Sequence, residues 1–192
     1  HEGGSSWQEL GYEAHDARDG NITDRVTITD TVDENVTGEY FLTYLVSDAA
    51  GNEANTTRKI TIVDTTAPVI NLLGNTNVTQ EAGSVYVDEN ATRTDAIDGS
   101  GVVLATGEVD TSTPGTYTLT YDYTDAAGNT AGQVTRTVNV EDTTAPVISL
   151  NGNKVVTHEG GSPYYDDNAT WTDVVDGTGT IIPEGDVNVM VP

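Results

Sequence analysis

An internal repeat limits what this chain can fold into more than any other feature. Asp64-Thr65-Thr66-Ala67-Pro68-Val69-Ile70 recurs unchanged as Asp142-Thr143-Thr144-Ala145-Pro146-Val147-Ile148. Gln80-Glu81-Ala82-Gly83-Ser84 is matched by His158-Glu159-Gly160-Gly161-Ser162 and by His1-Glu2-Gly3-Gly4-Ser5. Ser47-Asp48-Ala49-Ala50-Gly51-Asn52 is matched by Thr124-Asp125-Ala126-Ala127-Gly128-Asn129. The period of about 78 residues exceeds that of most stacked helical repeats and suits a small sandwich domain. The spacing predicts three units within the 192 residues. Residues 1–63 form a unit lacking its first strand, 64–141 a complete unit, and 142–192 a unit lacking its C-terminal strands.

Short-range patterning predicts what each unit is made of. From Thr116 to Thr124, Tyr117, Leu119, Tyr121 and Tyr123 fall on one face, and the threonines and Asp122 on the other. That alternation is the signature of a half-buried strand. Tyr40, Leu42, Tyr44 and Val46 repeat it in the first unit. Beyond the Asp-Ala-Ala-Gly-Asn turn, Val134, Val138 and Val140 share a face, as do Ile60 and Ile62, so a hairpin is expected. Val69–Leu72 follows Pro68, which a strand tolerates at its start because no ladder donor is lost there. Shorter strands are expected near Ala91–Asp95, Val102–Ala105 and Glu108–Val109. The expected fold class is all-β: tandem immunoglobulin-like β-sandwich domains joined by short linkers, with roughly six to seven strands per complete unit and no helix longer than two turns.

Composition removes several function classes. The chain has no cysteine, which excludes disulfides, cysteine-bound zinc and a thiol nucleophile. It carries 31 acidic against 7 basic residues, a formal charge of -24. Nucleic-acid binding needs basic patches to displace condensed counterions, so nucleic acid is not an expected partner. No apolar run approaches the roughly 18 residues of a bilayer span, so no direct membrane insertion is expected in this segment. Such one-signed charge costs stability through self-repulsion, which bound cations or salt relieve.

The motifs in order are Asp-Thr-Thr-Ala-Pro-Val-Ile, Glu-x-Gly-Ser, Asn-Ala-Thr-x-Thr-Asp-x-x-Asp-Gly, Pro-Gly-Thr-Tyr-x-Leu-Thr-Tyr, Thr-Asp-Ala-Ala-Gly-Asn and Arg-Thr-Val-x-Val. This series resembles the bacterial Ig-like tandem repeat family of large extracellular surface proteins and adhesins, and is similar to hyalin-type repeats. The resemblance implies an extracellular or cell-surface location, a structural or adhesive role, and no enzymatic activity. The first unit departs from the pattern. It has Trp7-Gln8-Glu9-Leu10-Gly11-Tyr12 where the others carry Asn-Ala-Thr, and two extra residues after Asp19-Gly20.

In an Ig-like order, the linker, the loop after the second strand and the turn before the last strand meet at one end of the domain. That brings together Asp64, Asp95, Asp98, Asp125 and Asn129 at one junction, and Asp142, Asp173 and Asp176 at the next. Asp16, Asp19, Asp48 and Asn52 are the counterparts in the first unit. Carboxylates and an amide carbonyl converging with no basic partner suit a hard cation, and Ca²⁺ takes six to eight such oxygens. Ordinary turn chemistry, or an acidic salt-adapted surface, accounts for the same residues.

Other features carry less. His1 and His158 are repeat equivalents, but Gln80 holds that place in the second unit, which argues against a required catalytic or ligand role. Lys59 and Lys154 are the only lysines, so a Lys–Asn isopeptide in every unit is excluded. Asn21, Asn35, Asn55, Asn77, Asn90 and Asn168 head glycosylation sequons. Trp7 and Tyr164-Tyr165 could stack on sugars or simply pack. The leading reading is a structural module of a stalk, adhesin or fibre. Its repeats are rigid spacers, its partners are neighbouring Ig-like repeats of the same protein, and it self-associates into fibres. The alternative is a carbohydrate- or protein-binding module that recognises a glycan or surface ligand.

Overall fold

Alternating Thr and apolar residues between Gly-Asn turns produce an all-β chain in the computed structural model, which describes residues 1–190. The strands are β1 (His15–Asp16), β2 (Gly20–Asn21), β3 (Thr27–Thr29), β4 (Gly38–Ser47), β5 (Glu53–Ile62), β6 (Val69–Leu72) and β7 (Asn77–Glu81). They continue as β8 (Ala91–Asp95), β9 (Gly99–Val103), β10 (Gly115–Tyr121), β11 (Val134–Glu141), β12 (Val147–Leu150), β13 (Ala169–Asp173) and β14 (Gly177–Ile181). Among the described residues the only helix is the 3₁₀ turn Thr23–Arg25. Six strands, β6 to β11, fall in the middle repeat.

The described residues gather into two compact units. The first joins His1–Leu73, Asn90–Leu104 and Tyr121–Val134; the second joins Gly74–Glu89, Ala105–Thr120 and the chain from Thr135 onward. In the first, β3, β4 and β5 form one antiparallel sheet, running in register from Gly38↔Ile62 to Ser47↔Glu53. Its core is Leu42, Tyr44, Ile60 and Ile62, with Trp7, Val26, Val32 and Tyr40 packed against it. Trp7 therefore packs rather than offering a free ring. A second sheet has the order β6-β8-β9, with Ile70, Ala91 and Val103 buried. In the second compact unit the sheet order is β10-β11-β7, and a further antiparallel sheet is β12-β13-β14.

The expected faces hold. Leu119, Tyr121, Val138 and Val140 are buried, Tyr117 is half-buried, Thr118 is exposed and Thr120 half-buried. Four details differ. The strand expected to reach Thr124 stops at Tyr121, and only the isolated bridge Thr124↔Thr130 continues the pairing. The strand expected at Val102–Ala105 lies earlier, at β9. Glu108–Val109 forms no strand, and Thr106↔Thr120 is an isolated bridge. An unexpected strand, β7, pairs in parallel with β11 from Thr137↔Asn77 to Glu141↔Glu81. Position 136, inward-facing between Val134 and Val138, is an arginine that is 1% exposed.

Candidate metal centre

The Asp-Ala-Ala-Gly-Asn turn folds locally because its aspartate satisfies the turn's own backbone. Asp125 Oδ1 accepts the Asn129 N–H at 2.7 Å, and its Oδ2 accepts the Asn129 side-chain amide at 2.8 Å. That amide also donates to the Asp64 carbonyl at 3.3 Å, which ties the linker to the turn. The Asp-x-x-Asp-Gly turn follows the same logic. Asp95 Oδ1 accepts the N–H groups of Ile97 and Asp98 at 2.8 and 2.9 Å. Short polar side chains that bond their own backbone in this way are what make such sequences turns.

These turns bring one carboxylate oxygen each of Asp64, Asp95 and Asp125 within 4.8 Å of one another. Asp125 is buried, and Asp95 Oδ2 is a buried oxygen with no hydrogen-bond partner. Burial raises the Asp64 carboxyl above its ordinary value against the Thr66 N–H, and repulsion from Asp95, Asp125 and Glu2 adds to the rise. Burial works to raise Asp125 as well, but the Asn129 side-chain and backbone bonds outweigh it and hold the group low. Asp98 stands outside the trio; its Oδ2 accepts the Ala126 N–H at 2.7 Å and joins one turn to the other. Asn129 presents its NH₂ group to Asp125 and to the linker, so its observed role is positioning.

The second group, Asp142, Asp173 and Asp176, also has carboxylate oxygens within 4.8 Å of one another, and Asp142 and Asp176 are exposed. Asp173 Oδ1 accepts the N–H groups of Val175 and Asp176, as Asp95 does in its turn. The first repeat shows the same template. Asp16 accepts from Arg18 and Asp19, Asp48 accepts from Ala50 and from both nitrogens of Asn52, and Asp19 Oδ2 accepts the Ala49 N–H at 2.6 Å. Contrary to expectation, this cluster has a basic partner, because Arg25 pairs with Asp19 at 3.1 Å. Arg93, two residues before Asp95 on β8, serves other groups: it sits 4.1 Å over the Tyr123 ring and donates to the carbonyls of Asp98 and Gly99.

Oxygens on opposite sides of a Ca²⁺ ion bound at 2.3–2.6 Å lie about 4.6–5.2 Å apart. The observed spacing, the all-oxygen donors and the orphaned Asp95 Oδ2 therefore fit a hard cation.

A second element, which sequence reasoning did not pick out, holds the linkers. Glu2 accepts the Thr65 N–H at 2.9 Å, the Thr65 hydroxyl at 2.7 Å and the Thr66 hydroxyl at 2.8 Å. Glu81 accepts the equivalent three bonds from Thr143 and Thr144, at 3.1, 2.6 and 2.7 Å. The glycine two residues on supplies a notch at positive φ. A Cβ on Gly4 would lie 2.6 Å from the Ala96 Cβ, and one on Gly83 would lie 2.0 Å from Val174. His1 and His158 meet the carbonyls of Ser5 and Ser162, and Gln80 meets the Ser84 hydroxyl, so all three side chains close the same turn.

The three donors hold the Glu2 carboxyl down at about 2, from an ordinary 4.5, and Glu81 is lowered by the same cause. A depressed carboxyl contributes its stability above the unfolded value and loses it as pH falls through the folded one. The clamp is thus complete above about pH 4.5 and fades between there and about pH 2. Melting followed by circular dichroism should fall more steeply across that window in the parent chain than in a Glu2→Gln/Glu81→Gln variant. Parallel curves would mean the clamp adds nothing to stability.

The repeated architecture has counterparts among known proteins. The family model described as "Bacterial surface protein, Ig-like domain" matches residues 2–62 and 70–140. The chain belongs to this bacterial surface Ig-like family. Hyalin of Strongylocentrotus purpuratus is 37% identical over 134 residues, covering 65% of the chain and 11% of hyalin. An uncharacterized 81.3 kDa protein of Acholeplasma phage L2 is 31% identical over 155 residues, covering 75% of the chain and 20% of that protein. The chain thus spans a fifth or less of the length of these two relatives. A lipoprotein of Bacteroides thetaiotaomicron of known structure is 28% identical, covers 41% of the chain and 39% of its own, and superimposes with a TM-score of 0.35. As a surface Ig-like module, the chain is all-β, and among its described residues no helix is long and apolar enough to cross a membrane.

Proposed function

We propose that the chain is a structural module of an extracellular or cell-surface stalk, adhesin or fibre. Its Ig-like repeats act as rigid spacers, and Ca²⁺ held by the linker and turn carboxylates stiffens their joints. The carrying observation is that the same elements recur at two successive linkers: a glutamate clamp on Thr-Thr, a glycine notch and a carboxylate trio. A linker held by three hydrogen bonds and a close-packed turn has few orientations open to it. A cation shared between linker and turn removes more of them, and it relieves the repulsion that a charge of -24 imposes. The proposed role needs no catalytic residue, and it makes neighbouring repeats the module's first partners.

Ca²⁺ that binds only the folded form stabilises it by mass action, by about 2.7 kcal/mol at one hundred times its Kd. Added Ca²⁺ should raise the melting temperature and narrow the range of inter-repeat angles seen by residual dipolar couplings, and chelator should reverse both. Asp95→Asn should abolish the response, since it removes charge at the buried donor. If Ca²⁺ moves neither melting nor angles in moderate salt, the carboxylates are turn residues on a salt-adapted surface.

A further inference from the structure

We infer that the outward face of the β6-β8-β9 sheet, with its counterpart on β12-β13-β14, is a contact plate on which a second copy of the chain packs side by side. The register lays out the first plate as two rows, Val69–Thr94–Ser100 and Asn71–Thr92–Val102. These six alternate with the buried Ile70, Ala91 and Val103, so they lie on the side away from the core. In the third repeat the rows are Val147–Thr172–Thr178 and Ser149–Thr170–Thr180. Charged residues make up 20% of the chain, yet none of these twelve is charged. The only charges in the six strands, Arg93, Asp95 and Asp173, fall on the opposite parity, and Arg93 lies over the Tyr123 ring. The first plate belongs to the middle repeat, with chain on both sides of it in the sequence.

The charge pattern selects the partner. Two chains of charge -24 repel each other. They can touch only where the surface is uncharged, and only when salt or bound cations screen the rest. Thr and Ser hydroxyls and Asn amides both donate and accept hydrogen bonds, so such a face is complementary to itself. Val69 and Val102, 58% and 63% exposed, occupy opposite corners of the first plate. A two-fold axis lying in the face, at right angles to the line between those corners, sets Val69 of each copy on Val102 of the other. A basic partner would be drawn to the carboxylate turns instead, and a glycan finds no aromatic ring on the plate to stack on.

Size decides how the contact works. A plate three strands wide, at about 4.8 Å each, and five residues long, at about 3.3 Å each, covers roughly 240 Å². A standard interface takes about 800 Å² from each partner, so one plate is a weak contact. Tandem repeats gain strength by engaging several plates at once. This names the partner in the stalk or fibre reading and rests on that reading; it does not depend on Ca²⁺.

Static light scattering on the whole chain in 1 M NaCl, where the Debye length is about 3 Å, tests the plate. The second virial coefficient should be negative for the parent and positive for Thr94→Glu/Thr172→Glu. A Thr31→Glu/Thr37→Glu variant adds the same charge outside the plates and should match the parent; circular dichroism confirms that both variants fold. The chain has no cysteine. Mixed chains carrying Val69→Cys and Val102→Cys should therefore cross-link under oxidation at least about tenfold faster than a Val36→Cys and Val155→Cys pair, because the plate raises their effective concentration. A positive coefficient in the parent, the same coefficient in both Glu variants, or equal cross-linking rates overturns the plate. Retention on a neutral polysaccharide without self-association, lost in Thr94→Glu/Thr172→Glu, overturns it in favour of a glycan. Either failure leaves the spacer reading standing, since the inter-repeat angles test that separately.

Discussion

Replacing Arg136 with alanine is expected to cost about 3–5 kcal/mol, the largest loss of any single substitution considered for this chain. The Arg136 side chain is 1% exposed and its ion-pair partner Asp88 is 14% exposed. The guanidinium also donates from Nε to the Asn75 carbonyl at 2.9 Å. Asp88 in turn accepts the Tyr86 hydroxyl at 2.8 Å, and burial, followed by that bond, pushes the Tyr86 phenol up. Truncation would leave Asp88 charged, enclosed and short of its countercharge. Removing both partners, as Arg136→Met with Asp88→Leu, is expected to cost far less, because the desolvation penalty of both ions then disappears. The equivalent pair in the first repeat, Arg58 with Glu9, is 33% and 21% exposed, and Arg58 also donates to the Gly11 carbonyl. Arg58→Ala should therefore cost less than Arg136→Ala. Urea denaturation of the two single variants and the double variant checks the ordering, and equal losses for the two arginines would mean that burial does not set the cost.

Leu119→Ala is the second large loss, at about 2–5 kcal/mol, since Leu119 is 3% exposed and its removal leaves a cavity in packed surroundings. Thr118→Ala, one residue away on the outer face, should change stability by no more than about 0.5 kcal/mol. The contrast in urea midpoints measures the register directly, because a slip of one residue would exchange the two results.

The hairpins were legible because long runs of strict alternation, punctuated by Asp-Ala-Ala-Gly-Asn, leave little else for the backbone to do. β7 was not legible: Asn77–Glu81 holds a single large apolar residue, Val78, and becomes a strand through parallel pairing with β11. Arg136 was hidden for a related reason, since an arginine reads as a surface residue. The usable signal was its repeat equivalent Arg58, matched by an acid at Glu9 and Asp88. The departure of the first unit at residues 7–12 is smaller than it reads. Gly11 takes a positive φ of 99°, and its counterparts Asn90 and Asn168 take 66° and 65°, so one backbone shape carries different residues. In the candidate site, topology alone placed Asp64, Asp95 and Asp125 together. It could not separate Asp98, whose carboxylate is taken by a backbone N–H 2.7 Å away. The glutamate clamp left a trace in the glutamate shared by all three copies of its motif, but its partners lie more than sixty residues away in the chain.

The parallel pairing of β7 with β11 has a mechanical consequence. β7 follows the strand by which the chain enters the middle repeat, and β11 is the strand by which it leaves. Tension between those two points drags the parallel neighbours in opposite directions along their length. The ladder of five residue pairs from Thr137↔Asn77 to Glu141↔Glu81 is then loaded in shear, so its bonds resist together instead of opening one after another. Under such tension, a repeat wired in this way is expected to yield late, which pulling on single molecules would measure as a high unfolding force.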